Sequence, residues 1–87
     1  MDISQIYETI NKAIKETVNR EISDEMLRDD VDIVQSIGIN SIDAISILVK
    51  IEELFNIQVD DDDLNTELIR TTKNLAEYVE KKLSGVG

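Results

Sequence analysis

An all-α fold, a small antiparallel four-helix bundle of three main helices and one short one, is predicted for this chain by three features of its sequence. Apolar residues recur at three- and four-residue steps in separate stretches, the alternating period of strands never appears, and there is no proline to break a helix. At 87 residues the chain is one domain, because neither of two halves could bury enough apolar surface to offset the entropy of ordering it.

The first helix is read from Ile3 to Val18, where Ile3, Ile6, Tyr7, Ile10, Ala13, Ile14 and Val18 fall on one face. Between Arg20 and Asn40 the pattern dissolves into Glu21, Asp24, Glu25, Asp29, Asp30 and Asp32, with Ile22, Met26, Leu27, Val31, Ile33, Val34 and Ile37 scattered among them. A long loop between the first and second helices is expected, pinned to the core by those apolar residues and with room for a turn of helix. Loops of this length in small domains are often functional. This one ends in Gly38, Ile39, Asn40 and Ser41.

The second helix runs from about Ser41 to Phe55, with Ala44, Ile47, Leu48, Ile51, Leu54 and Phe55 in one arc facing the core. Asn56, Gln58 and the acidic run Asp60 to Asp63 interrupt it, and the run suits the start of a short third helix, where carboxylates cap free amides and oppose the dipole. Thr71 or Thr72 caps a last helix carrying Leu75, Ala76, Tyr78, Val79 and Leu83, with Lys81 and Lys82 in its final turn. The bundle is thus drawn over residues 1–83, with 84–87 as a flexible C-terminal tail.

Composition narrows the function. Nineteen Asp and Glu against nine Lys and Arg give a net charge of -10, which repels nucleic acid and anionic lipid and favours basic protein partners. No window approaches the roughly 20 apolar residues that span a bilayer, and Met1 is followed by an amphipathic polar segment, so membrane insertion is not expected and a cytoplasmic location is. The chain has no Cys and no His, so disulfides, thiolate metal sites and a His-activated serine nucleophile are excluded. The frames beginning at Asp30 and Asp60 lack the Gly and Glu an EF-hand loop requires, and no metal site is assigned. A non-enzymatic protein is expected, acting through a surface or a modification.

Two features of the second helix suggest which. Ile42, Ile45 and Val49 form a second apolar stripe nearly opposite the core face, which a helix that only packs inward would not need. Either another segment covers it, or it is a docking stripe rimmed by Asp43, Glu52 and Glu53. Ser41, at the helix start, lies beside unpaired amides at the positive end of the dipole, where a phosphodiester would be stabilised. By position alone, an ordinary cap is the favoured explanation, whether Ser41 caps or Asn40 caps with Ser41 first in the helix, because Ser and Asn are common caps; the wider pattern shifts that balance.

The stretch Ser36-Ile37-Gly38-Ile39-Asn40-Ser41-Ile42-Asp43, followed by Ile45, Ile47-Leu48, Ile51-Glu52-Glu53-Leu54-Phe55-Asn56-Ile57 and an acidic turn, resembles the carrier proteins of fatty-acid, polyketide and non-ribosomal peptide synthesis. The family pattern is Leu-Gly-x-Asp-Ser-Leu leading into an amphipathic helix that ends Glu-Glu-x-Phe-x-Ile, and the helices come in family order over nearly the whole chain. The resemblance implies that Ser41 receives 4'-phosphopantetheine from coenzyme A through a separate phosphopantetheinyl transferase. The arm's thiol would then hold acyl or aminoacyl groups as thioesters. It also implies that acyl-loading and acyl-processing enzymes with basic patches dock on the second helix, through Asp43, Glu52 and Glu53 by charge and Ile42, Ile45 and Val49 by apolar contact.

Three departures from the pattern point away from the housekeeping fatty-acid role and towards a stand-alone carrier in a specialised pathway. Asn40 replaces the usual Asp, Ile42 replaces Leu, and the second helix carries Ser46 and Lys50. A monomer with transient partners is expected. The rival from another class is an acidic helical adaptor or inhibitor that binds a basic partner without modification, and a carrier-like scaffold that has lost its modification ranks below both. An adaptor would tolerate loss of Ser41, whereas a carrier would not.

Overall fold

Three long helices make up the bundle in a computed structural model that describes residues 2–18, 21–28 and 30–85. Helix α1 spans Ile3–Thr17, α2 spans Ser41–Phe55 and α3 spans Thr72–Leu83, and no strand occurs among the described residues. Residues Met1, Arg20 and Asp29 of the sequence reading, and positions 86 and 87 of the expected tail, lie outside the described residues.

Helix α1 starts where Asp2 caps it: its carboxylate accepts the Gln5 amide at 3.0 Å, and the Gln5 side chain accepts the Asp2 amide at 3.2 Å. It packs against both α2 and α3. The apolar face buries Ile6, Ile10, Ala13, Ile14 and, just beyond the helix, Val18. Ile3, expected on that face, is exposed; it lies in the first turn, and burial begins one turn later at Ile6.

Helix α2 buries Ala44, Ile47, Leu48, Ile51 and Phe55 as predicted, whereas Leu54 is exposed. Leu54 sits at the edge of the core arc, on the flank shared with Asp43 and Lys50, where side chains meet water. Helix α3 begins with Thr71, whose hydroxyl accepts the Asn74 amide at 3.1 Å, and this settles the choice between the two threonines. Leu75, Ala76 and Val79 are buried, Tyr78 is half-buried and Leu83 is exposed in the last turn. Ser84 and Gly85, placed in the tail by sequence, close the helix. Their amides bond to the carbonyls of Glu80 at 3.0 Å and Lys82 at 3.2 Å, and Gly85 takes the left-handed conformation common after helix ends.

The core is aliphatic, as the composition implied. Seven isoleucines, at positions 6, 10, 14, 33, 47, 51 and 69, are fully buried. Burial of each contributes about 1.5–3 kcal/mol, so isoleucine rather than aromatic area is what drives collapse.

The long loop is held down by buried Leu27, Ile33, Ile37 and Ile39. It contains two short helical pieces, a 3-10 turn at Asp24–Leu27 and a π-helical turn at Val34–Gly38. Two bonds fasten it to the approach to α3: the Thr72 hydroxyl donates to the Leu27 carbonyl at 3.2 Å, and the Ile33 amide donates to the Arg70 carbonyl at 2.8 Å. The short third helix amounts to one 3-10 turn, Asp61–Asp63, with no side-chain cap. Four successive carboxylates repel one another and supply no apolar face, so the turn does not propagate.

Candidate functional site

The start of α2 is built from the loop before it. Ile37 and Ile39 are buried and anchor the backbone on either side of Gly38, whose φ of 78° lies in the left-handed region that favours glycine. The Ile39 amide reaches back to the Val34 carbonyl at 3.0 Å and closes the π-helical turn. Asn40 then leaves the turn extended and becomes the cap. Its Oδ1 accepts the Asp43 amide at 2.8 Å, while an Asp43 carboxylate oxygen accepts the Asn40 amide at 3.5 Å.

That reciprocal box answers the question the sequence left open. Asn40 carries out the capping, so the Ser41 hydroxyl is not used by the helix. Ser41 is the first residue of α2, it is exposed, and its hydroxyl has no hydrogen-bond partner among the described residues. Its neighbour Ile42 is 75% exposed. An accessible alcohol at the positive end of a 15-residue helix suits a negatively charged ester. With no His in the chain, the site has no imidazole base to activate that alcohol. The residues present therefore fit 4'-phosphopantetheine: a free hydroxyl to bear it, and space around the hydroxyl for an arm.

The second stripe lies open. Ile45 is 45% and Val49 43% exposed beside Ile42, so no segment of the described chain covers them, and Leu54 adds apolar surface on the flank. The three predicted rim acids differ in their engagement. Glu53 is exposed. Asp43 is half-buried and serves the capping box. Glu52 is also half-buried, and its carboxylate accepts the Val59 amide at 2.9 Å, bridging seven residues across the end of α2. Sequence reasoning missed this inward role because it joins a helix to an irregular segment that has no periodicity to read. Lys50, on the other flank of the stripe, lies 3.8 Å from Glu16 of α1, while Ser46 is exposed.

Beyond α2, the acidic run packs against α3. The Tyr78 hydroxyl donates to Asp63 at 3.0 Å and accepts the Asp60 amide at 3.4 Å, and the Lys82 ammonium lies 3.3 Å from Asp60 and 5.5 Å from the centre of the Tyr78 ring. Burial pushes the Tyr78 hydroxyl above its ordinary pKa, and the neighbouring Asp63 adds to the shift. Desolvation pulls Lys82 down, but its bond to Asp60 and the Tyr78 oxygen outweigh it and leave the ammonium raised. Among the described residues no group of three or more acidic side chains converges as a metal site would require, and no helix is long and apolar enough to cross a membrane.

Comparisons with known proteins agree with this geometry. The family described as phosphopantetheine attachment site matches residues 8–79, which takes in all of α2 and most of α1 and α3. An acyl carrier protein of Thermotoga maritima is 27% identical over 79 residues, covering 91% of this chain and 93% of its own length. One from Buchnera aphidicola is 28% identical over 80 residues, covering 92% and 95%. One from Phytoplasma mali is 36% identical over 50 residues, covering 58% of this chain and 57% of that protein. No solved structure gives a significant match.

Proposed function

This chain belongs to the phosphopantetheine attachment-site family, whose members are carriers and not enzymes and hold 4'-phosphopantetheine covalently, and we propose that Ser41 is the residue that bears it. The observation that carries the assignment is the capping of α2 by Asn40, which leaves the Ser41 hydroxyl exposed and without a partner among the described residues. When bound, the group supplies a thiol that carries acyl or aminoacyl units as thioesters, chemistry for which a chain without Cys has no group of its own. Attachment forms a bond between Ser41 Oγ and the pantetheine-side phosphorus of coenzyme A, breaks that phosphorus's bond to the bridging pyrophosphate oxygen so that 3',5'-ADP leaves, and releases the hydroxyl proton. The site has no imidazole to take that proton, and we assign the base to the separate transferase.

The exposed stripe of Ile42, Ile45 and Val49 is the apolar part of the docking face. Glu53 supplies its freest acid, and Asp43 and Glu52 contribute charge from positions they also hold for the fold. A small apolar patch within an acidic field suits brief encounters with transferases and acyl-handling enzymes whose faces are basic, because charge speeds approach and few contacts keep release fast. The departures at Asn40, Ile42, Ser46 and Lys50 support a specialised acyl or aminoacyl pathway over housekeeping fatty-acid synthesis, with the chain acting as a cytoplasmic monomer.

Incubation with coenzyme A, magnesium and a broad-specificity phosphopantetheinyl transferase tests the assignment. The wild type is expected to gain the mass of one phosphopantetheine and Ser41→Ala none. A Ser41→Ala protein that still gains it would overturn the assignment.

A further inference from the structure

The rim of the exposed stripe is less acidic than the net charge of -10 suggests. Of its three acids only Glu53 is fully exposed, since Asp43 is half-buried in the cap of α2 and Glu52 half-buried against the Val59 amide. Lys50 lies on the same flank as Glu53, three residues earlier, and so about 60° round the helix and about 4.5 Å along it. Ser46, one turn before Lys50, is exposed and uncharged. The flank thus presents one exposed carboxylate and one ammonium side by side.

Holding the helices together does not account for this lysine. It faces Glu16 of α1 at 3.8 Å, with the two side chains 36% and 43% exposed. Ion pairs this open to water contribute little to stability. Glu16 also faces Lys12 at 3.9 Å, so one carboxylate is divided between two ammonium groups and a positive excess stays at the edge of α2. Leu54, one turn after Lys50, is 37% exposed, which borders the cation with apolar surface that a partner can cover. A lysine placed there selects among partners. It repels an uninterrupted basic surface and favours an acid in its own register.

Building on the docking reading of the stripe, we infer that Lys50 is a specificity-determining residue of that face. The partner it fits is an acyl-handling enzyme whose basic docking surface carries one acidic side chain opposite Lys50, beside the base that meets Glu53. Enzymes whose docking surface is basic throughout are disfavoured.

The test is a charge-reversal cycle with the broad-specificity phosphopantetheinyl transferase as the probe partner. The kcat/KM of arm transfer is measured for wild type, Lys50→Ala and Lys50→Glu. The transferase is used unchanged and in variants that each replace one docking-face lysine or arginine by Glu. Urea midpoints confirm that all three carriers fold. Reversal at one transferase position is expected to raise the ratio of wild-type to Lys50→Glu kcat/KM at least about tenfold, with Lys50→Ala between them and the effect fading at high salt. A ratio that stays within about twofold for every transferase variant, or rises equally for all of them, would overturn the inference. Ile42→Asp combined with Val49→Asp, run with the unchanged transferase, separates the two readings. If it lowers kcat/KM while the ratio stays flat, this inference alone falls. If it changes nothing, the docking reading falls and takes this inference with it.

Discussion

Glu52 and Glu53 are adjacent acids on the same helix, yet the structure predicts opposite phenotypes for their removal. Glu52 accepts the Val59 amide at 2.9 Å, and Val59 is only 3% exposed. A hydrogen bond to a charged acceptor is worth about 1.5–3 kcal/mol, and a buried amide left unpaired costs about 1–3 kcal/mol. Glu52 is half-buried, so water replaces part of what is lost, and Glu52→Ala should destabilise the fold by about 1–2 kcal/mol. In a domain of this size that lowers the melting temperature by about 4–8 °C per kcal/mol. Glu52→Gln keeps a carbonyl acceptor and should lose less than half as much. Glu53→Ala removes an exposed side chain and should stay within about 0.5 kcal/mol of wild type. Urea denaturation at neutral pH gives the energies, and amide exchange at Val59 locates the effect. If Glu52→Ala proved as stable as Glu53→Ala, or if Val59 exchange were unchanged, Glu52 would not hold the segment after α2.

Replacing Ile42 and Val49 together by Asp removes exposed apolar surface, so stability should change by less than about 1 kcal/mol, while the transferase kcat/KM should fall at least about tenfold, equivalent to 1.4 kcal/mol. Unchanged kcat/KM would remove the stripe from the docking face. By contrast, Ile47→Ala, on the core face of the same helix, should cost about 2–5 kcal/mol in the same denaturation assay. Tyr78 and Lys82 both hold their protons more tightly folded than unfolded, so their contribution is complete below the ordinary values of 10.0 and 10.5 and is lost as pH rises through the raised folded values. Stability should therefore fall above about pH 10, and Tyr78→Phe should flatten part of that decline; a decline of the same slope in both proteins would contradict the assignment to Tyr78.

The three long helices were legible because each is amphipathic and ends in local capping chemistry. The span Ser41–Phe55 read from the sequence is the span observed, and the second apolar stripe followed from helical geometry, while its exposure was decided only by the structure. The errors lie where the helical period ceases to govern burial. Ile3 and Leu54 sit at a helix end or at the edge of a face, so their apolar character overstated their contact with the core. The π-helical turn at Val34–Gly38 and the inward role of Glu52 depend on contacts between irregular segments, which a residue pattern does not encode. At Ser41 two cap assignments were equivalent in sequence, and only the position of the Asn40 side chain separates them.

The central claim is that Ser41, and no other hydroxyl, bears the arm. Trypsin cleaves after Arg28 and Lys50 to release residues 29–50, a peptide with three serines at 36, 41 and 46. Fragmentation of that peptide from modified protein is predicted to place the whole added mass on Ser41. The added mass on Ser36 or Ser46, or on a different peptide, would contradict the account.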